Sequence, residues 1–369
     1  MRTSGIAAIV TLAAVVGACG GEQPPPAQPP PPPPPVAMSA PAAPAPPPPP
    51  APPKPSLAEL IPRTLSGIND AFNAHDSKKL ADYFSEDCTA IDFGVPEAHG
   101  RADVARSVQM LFDSFGDAKS MATRTWVKGN VAISEFVWAG TMTGDLMMLK
   151  ASHNPVGELR LHVMWFTDDG LVREEHEYGD QAGLTAQIMG KKGAPPVPMV
   201  PTNAADVHLA KNTADEDKLA EWAKGVGVAF DKDDPTGAVS LLADDADYWL
   251  NISGRPATRG KKDLTADLTR WFKAFPDQKW VSTNVWGIDG FAIVEHTVSG
   301  TQKAALGQLP ASNRPVKDWH WLDIYQPNSD GKIKHGWGYA NLLEMMMQTG
   351  GFKLGEERDD ASRRRASQP

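Results

Sequence analysis

The feature that most limits what this chain can fold into is an internal repeat. Shifted by 160 positions, Gly100, Asp103, Phe112, Phe115, Asp117 and Lys119 fall on Gly260, Asp263, Phe272, Phe275, Asp277 and Lys279. The same shift carries Thr123, Trp126, Ala132, Ile133, Glu135, Gly140 and Thr141 onto Thr283, Trp286, Ala292, Ile293, Glu295, Gly300 and Thr301. That makes thirteen identities in forty-two ungapped positions, where ordinary residue frequencies would give about three. One further residue of slip brings Gly170, Tyr178, Gln187 and Gly190 onto Gly331, Tyr339, Gln348 and Gly351. The chain therefore carries two copies of one domain.

Each copy has the same order of elements. Amphipathic periodicity predicts a helix over 60–74 (219–231 in the second copy) and a short one over 78–84 (236–242). A strand over 88–93 (247–252) comes next, then a helix opened by Gly100-Arg101-Ala102-Asp103 or Gly260-Lys261-Lys262-Asp263. Strands holding Trp126 and Trp286 turn at Gly129-Asn130 and Asp289-Gly290 into strands over 131–138 and 291–298. A hairpin over 161–181 closes the first copy, and helices over 181–189 and 342–348 follow the two hairpins. Helices first and an antiparallel meander after them indicate an α+β fold with helices covering one sheet face.

The closing hairpin is where chemistry-bearing side chains gather. Asp168-Asp169-Gly170 supplies a three-residue turn, so Thr167 faces Leu171 and, counting outward, His162 faces His176. Alternation puts Glu174, His176, Tyr178 and Asp180 on one face of the second arm. An acid–base role is expected for His176 and His162, with Glu174 and Asp92, since proton transfer needs groups near neutral pKa within hydrogen-bond reach. Paired imidazoles would lower at least one pKa. Asp180 has a structural reading as well: its counterpart is Asn341, and Asp and Asn are both strong helix N-caps. Glu135 and Glu295 are apolar-flanked carboxylates present in both copies, suited either to a structural ion pair or to a pocket wall. In the second copy Trp337 replaces His176 and His335 replaces Glu174, while Tyr339 keeps Tyr178. With Trp249, Trp271, Trp280, Trp319 and Trp321 nearby in sequence, that copy reads as an aromatic-lined binder or a structural partner.

Certain motifs resemble those of a known family. Phe72-Asn73-Ala74-His75-Asp76, Gly100-Arg101, Asp169-Gly170-Leu171-Val172-Arg173-Glu174-Glu175-His176 and Glu177-Tyr178-Gly179-Asp180-Gln181 are similar to those of SnoaL-like proteins, a branch of the nuclear-transport-factor-2-like (NTF2-like) fold named for polyketide cyclases. The resemblance covers the whole first copy and, more weakly, the second. It implies two tandem cone-shaped domains, each with helices packed on a curved antiparallel sheet, and no cofactor or metal. It also implies acid–base residues on the concave face, here His176, His162, Glu174, Asp92, Tyr178 and Asp180, and ligand-contacting residues Glu135, Trp165, Trp337, Tyr339, Glu295 and His335. Because the fold hosts cyclases, isomerases and plain binding modules, two function classes stand open. One is a binder of a small apolar ligand or protein partner. The other is a cofactor-free cyclase- or isomerase-like enzyme using the first domain. Domains of this fold commonly pair through the outer sheet face, so pairing of the two copies within the chain is expected.

Residues 1–19 read as a leader: Arg2, an apolar stretch over 6–16, and Val16-Gly17-Ala18-Cys19, which resembles the bacterial lipobox whose Cys carries diacylglycerol. Gly20 after the Cys argues for the outer membrane in that pattern. Residues 20–56 form a Pro- and Ala-rich tether, at roughly 3 Å per residue on the order of 100 Å long. The remaining expectations are a first domain over 57–192, a linker over 193–215, a second domain over 216–354 and a disordered tail over 355–369. This gives a lipid-anchored cell-envelope protein attached to the membrane through Cys19. The chain is mildly acidic, with a net charge of -9 and no Lys/Arg stripe, which argues against nucleic acid as a partner. Cys88, the only other cysteine, reads as a core residue.

Overall fold

The structure, a computed structural model, describes residues 55–93, 96–251, 257–306 and 309–351. Cys19, nearly all of the expected tether and the expected tail lie outside the described residues. Among the described residues no helix is long and apolar enough to cross a membrane.

The first copy opens with α1 (Leu57–Asn73), started by a Ser56/Glu59 capping box that satisfies two otherwise orphan backbone donors. Next come α2 (Ser77–Ala81), capped by Asp76, strand β1 (Phe84–Asp92), the two-residue β2 (Ala98–His99) and α3 (Arg101–Ser114). The meander consists of β3 (Lys119–Lys128), β4 (Val131–Thr141), β5 (Pro155–Phe166) and β6 (Val172–Tyr178), and α4 (Gln181–Ile188) closes it. A strand that the sequence reading left inside the linker, β7 (Asp206–Leu209), runs parallel to β3 and completes a seven-stranded sheet, β2-β1-β6-β5-β4-β3-β7.

The second copy repeats the plan with α5 (Ala214–Asp231), α6 (Pro235–Ser240), β8 (Leu242–Leu250), β9 (Thr258–Arg259) and α7 (Lys261–Ala274). It continues with β10 (Lys279–Ile288), β11 (Phe291–Thr301), β12 (Pro315–Pro327), β13 (Ile333–Ala340) and α8 (Leu342–Thr349). Its sheet has the order β10-β11-β12-β13-β8-β9. Both first strands begin about four to five residues earlier than the hydrophobic run suggested.

Each sheet has two buried faces. In the first copy Cys88, Ala90, Val127, Ala132, Met164, Phe166 and Val172 pack under α1, α2 and α3 through Ile61, Ala71, Leu80 and Val104. The opposite face carries Trp126, Ile133, Leu161, Val163 and Tyr178. These join Trp286, Ile288, Phe291, Ile293, Leu322, Ile324 and Tyr339 of the second sheet in one apolar cluster. The alternation of each strand thus divides its side chains between a helix-covered cone interior and a seam between the two copies.

The hairpin register corrects one expectation. Thr167 N–H donates to the Leu171 carbonyl at 2.8 Å, and Gly170 takes φ +77° as the turn requires. Beyond the turn, however, Phe166 faces Val172 while Trp165 faces Glu174, so Arg173 is bulged out. The pairing slips by one: His162 faces Glu177, and His176 faces Val163. A one-residue slip moves side chains to the opposite face. His162 and His176 therefore stand on opposite sides of the sheet and form no imidazole pair.

Candidate functional site: the interior of the first cone

The inward positions of β5, β6 and β1 carry a cluster of titratable groups. Glu158, Arg160 and His162 alternate along β5 with the seam residues Leu159, Leu161 and Val163. Glu175 and Glu177 oppose Met164 and His162, and Asp92 lies beside Glu177 in the parallel β1–β6 pair. Arg160 sits at the centre. Its Nη2 is 2.9 Å from Asp92 and 3.0 Å from Glu177, and its Nη1 is 3.4 Å from Glu158. His162 lies between Glu175 (2.6 Å from Nδ1) and Glu177 (3.3 Å from Nε2), with its ring edge-on to Phe136 at 4.5 Å.

Four carboxyl groups thus face two cationic side chains, and burial and charge push Asp92, Glu158, Glu177 and His162 in different directions. Burial would lower His162, but Glu175 and Glu177 hold it up at about 10. Burial acts to raise Glu177, yet His162 and Arg160 pull it down to about 2. Among the described residues Arg160 is the cation beside Glu158, with Asp180 and Asp92 nearby, and burial pushes Glu158 up to about 7. Burial raises Asp92 as well, since the guanidinium it uses is shared with Glu177. Asp92, His162 and Glu177 keep 17–22% of their side-chain surface accessible, whereas Glu158 and Glu175 are closed in. Asp92 Oδ1, Glu158 Oε2 and Arg160 Nε have no hydrogen-bond partner among the described residues. The constellation can offer a partly accessible carboxylate whose pKa is raised, a fixed guanidinium and spare hydrogen-bonding capacity, the ingredients of polar-group binding or proton transfer.

The other residues singled out from the sequence lie elsewhere. Glu174, His176 and Tyr178 project from the seam face of β6, opposite to Asp92 and His162. His176 Nδ1 is 2.9 Å from Glu295 Oε1, and the Tyr178 hydroxyl donates to that same oxygen at 2.7 Å. Tyr339 donates reciprocally to Glu135, which also pairs with Arg124 at 2.6 Å. Trp165 and Trp337 pack against the same seam cluster. His335 is held 3.1 Å from Asp247 near the start of β13. Asp180 caps α4 by accepting from Gly183 N–H at 2.9 Å, and Asn341 caps α8 in the same way through Leu343 N–H. Arg160, Glu158, Glu175 and Glu177 were missed by the sequence reading. Their signal was a run of charged residues at alternate positions in an otherwise apolar strand, Glu158-Leu-Arg160-Leu-His162.

The second cone is built differently at matching positions. Glu158, Arg160 and His162 become Trp319, Trp321 and Asp323, Glu175 and Glu177 become Gly336 and Gly338, and Asp92 becomes Leu250. Trp271 and Trp280 pack with Trp319 and Trp321 there. Asp323 is sealed among Tyr248, Trp321 and His296, and burial raises it to about 6 and drops His296 to about 3.

The profile of the SnoaL-like polyketide cyclase family matches residues 63–188 and again 223–349, about two thirds of the chain. The chain belongs to the SnoaL-like family. Similar solved structures include a Jannaschia sp. CCS1 protein provisionally described as a SnoaL-like polyketide cyclase, 16% identical, covering 37% of this chain and 94% of its own, with a TM-score of 0.34. TsrD from Streptomyces laurentii is 22% identical, covering 37% and 97%, with a TM-score of 0.32. An LEH-like epoxide hydrolase from M. tuberculosis is 15% identical, covering 36% and 91%, with a TM-score of 0.30. No curated protein matches the sequence. The two SnoaL-like domains share a backbone plan and a common seam, and differ most in what fills their cones.

Proposed function

We propose that this chain is a lipid-anchored cell-envelope protein whose first SnoaL-like domain binds a small molecule, with the second domain as its structural partner. The observation that carries this reading is the contrast between the two cones. Copy two has the same fold with Leu, Trp and Gly where copy one has Asp92, Arg160 and Glu177, so the fold itself does not require the charges. Burying charge is costly, and Asp92 Oδ1 and Arg160 Nε, without partners among the described residues, have hydrogen-bonding capacity left for a ligand. With Phe136 beside His162, the expected ligand has an apolar body and one polar group that meets Asp92 and Arg160.

The test is ligand capture from a cell-envelope extract, read by native mass spectrometry. The wild-type protein is expected to retain a small molecule of defined mass. The triple variant Asp92→Leu, Arg160→Trp, Glu177→Gly, which installs the residues of copy two, is expected to lose it while remaining folded. Equal retention by both proteins would remove the first cone as the site.

A second reading, acid–base turnover of the bound molecule in the manner of a cyclase or isomerase, is favoured by one observation. Burial holds the partly accessible Asp92 carboxyl above the usual carboxylate range and pushes the enclosed Glu158 beside it up to about 7, where a carboxyl group can give and take a proton. Conversion of the captured molecule by wild type, abolished in Asp92→Asn with retention intact, would select turnover over binding. Anchoring rests on the leader and on Cys19. Cys19→Ala is expected to move the protein from the membrane to the soluble fraction without altering its unfolding transition. A variant that still sediments with membranes would refute the anchor.

A further inference from the structure

The seam between the domains has two halves related by the repeat, and they are balanced by different means. In one half the Glu135 carboxylate is held by Arg124, whose Nε and Nη2 lie at 3.0 and 2.6 Å, and by the Tyr339 hydroxyl from the other copy. Trp337 lies over that guanidinium, 4.4 Å from Cζ to ring centre. In the other half Glu295 receives the Tyr178 hydroxyl at 2.7 Å and the Asn284 amide at 2.7 Å. Asn284 occupies the position of Arg124, so it donates a hydrogen bond and supplies no charge. The position of Trp337 is taken by His176, whose Nδ1 lies 2.9 Å from Glu295. The Arg-to-Asn and Trp-to-His differences between the copies compensate each other.

The ring sits where a charged imidazole would donate to two carboxylates. Nδ1 faces Glu295 Oε1 and Nε2 faces Glu174 Oε1 at 3.2 Å. An ionised carboxylate only accepts, and the imidazolium, with an N–H on each ring nitrogen, is the form that offers a donor to both. The other groups around the ring are Tyr178 on its own strand, Trp165 on β5 at 4.7 Å, Phe93 after β1 at 5.5 Å and Asn284 on β10 through Glu295. His320 of β12, itself bound to Glu344 of α8, stacks on the far side of Phe93. Arg124 is engaged with Glu135, and no other cation bonds Glu295 among the described residues.

We infer that His176 is the counter-ion of Glu295, standing in for the arginine of the matching half, and that the joint between the two domains is consequently a proton-dependent latch. The latch is made while His176 is charged and loosens when it is neutral, because Glu295 is then buried without a cation and Nε2 presents a lone pair to Glu174. Burial alone would lower the imidazole, but the hydrogen bond and charge of Glu295, with Glu174, hold it above the ordinary 6.5. The sign follows from linkage. A raised histidine contributes stability that is complete below about pH 6.5, its unfolded value, and is lost as pH rises through the folded value.

The test uses the full chain in two measurements. The first is an NMR titration of the histidine ring signals, with His176 assigned by its disappearance in His176→Gln. Its midpoint is expected above 6.5 and is expected to fall in Glu295→Gln. The second compares thermal midpoints across pH for His176→Trp, Asn284→Arg and the double variant, which rebuilds the Arg124–Trp337 arrangement in the other half. Each single variant is expected to lose stability. The double variant is expected to recover most of that loss and to lack the His176 step. A His176 midpoint at or below 6.5, a midpoint indifferent to Glu295→Gln, or a double variant no better than the worse single one would overturn the latch. If the variants fail to fold, the wild-type titration decides, with the His176 signal assigned through its bonds to the isotope-labelled backbone.

Discussion

Arg160 is the residue on which the first cone's interior depends. It touches Asp92, Glu158 and Glu177, and without it Asp92 and Glu177 would share the charge of His162 while Glu158 would lose its cation. Arg160→Met is expected to destabilise the protein by about 3–5 kcal/mol at neutral pH, the usual cost of removing one partner from a buried ion pair. The loss should shrink toward pH 4, where the orphaned carboxyl groups take up protons. Wild-type stability should itself be greatest in mildly acidic solution. Glu177, depressed to about 2, loses its contribution as pH falls from 4.5 through 2. Glu158, raised to about 7, contributes most below 4.5 and loses that contribution as pH climbs through 7, and His162 follows as pH climbs from 6.5 through 10. Urea unfolding of wild type and Arg160→Met between pH 3 and 9 checks both statements. A stability maximum above pH 7 would show that these interior groups do not set the pH profile.

At the level of elements, the order of helices and strands was legible because periodicity and turn residues act locally. The two N-caps were legible too, since Asp180 and Asn341 bond their own helix starts as the exchange of Asp for Asn between copies suggested. Asp180→Asn is therefore expected to change stability by under about 0.5 kcal/mol, and Asp180→Ala to cost about 1 kcal/mol, both read from urea midpoints at fixed pH. A large loss in Asp180→Asn would mean that the charge, which also raises Glu158, matters more than the cap. The face assignment of the hairpin was not legible. It hinges on the single extra residue Arg173, and Val172-Arg173-Glu174-Glu175-His176 contains no glycine or other mark of a bulge. One unmarked residue sent His162 inward with Asp92 and left His176 in the seam. Strand β7 was equally hidden, because Asp206-Val207-His208-Leu209 is too short to show a period and is fixed by β3 beside it.

For the molecule as a whole, the seam is closer to a core than to a contact between independent bodies. Trp126, Leu161, Val163, Ile293, Leu322 and Tyr339 are all but inaccessible, and the buried Glu135 and Glu295 each complete their bonding with a tyrosine from the other copy. A half on its own would expose that apolar face and leave its glutamate short of a donor, two penalties that association removes together. The linker strengthens the joint, since His208 of β7 stacks near Trp126 and Phe291 and bonds Asp289 at 3.0 Å. Residues 57–192 and 205–351 made as separate chains are therefore expected to associate one-to-one when co-expressed. Made alone, each is expected to self-associate through the same face or to be insoluble. Sedimentation equilibrium decides the matter, and a stable monomeric half would show that the two domains are neighbours by tether and not by need. The pseudo-symmetric face favours self-association of the first half as the substitute. There Tyr178 of each copy would meet Glu135 of the other, already neutralised by Arg124, whereas in the second half Tyr339 would meet a Glu295 that has lost His176, the cation supplied by the first domain. The first half is thus expected to dimerise more tightly than the second, with the ranking read directly from the two dissociation constants.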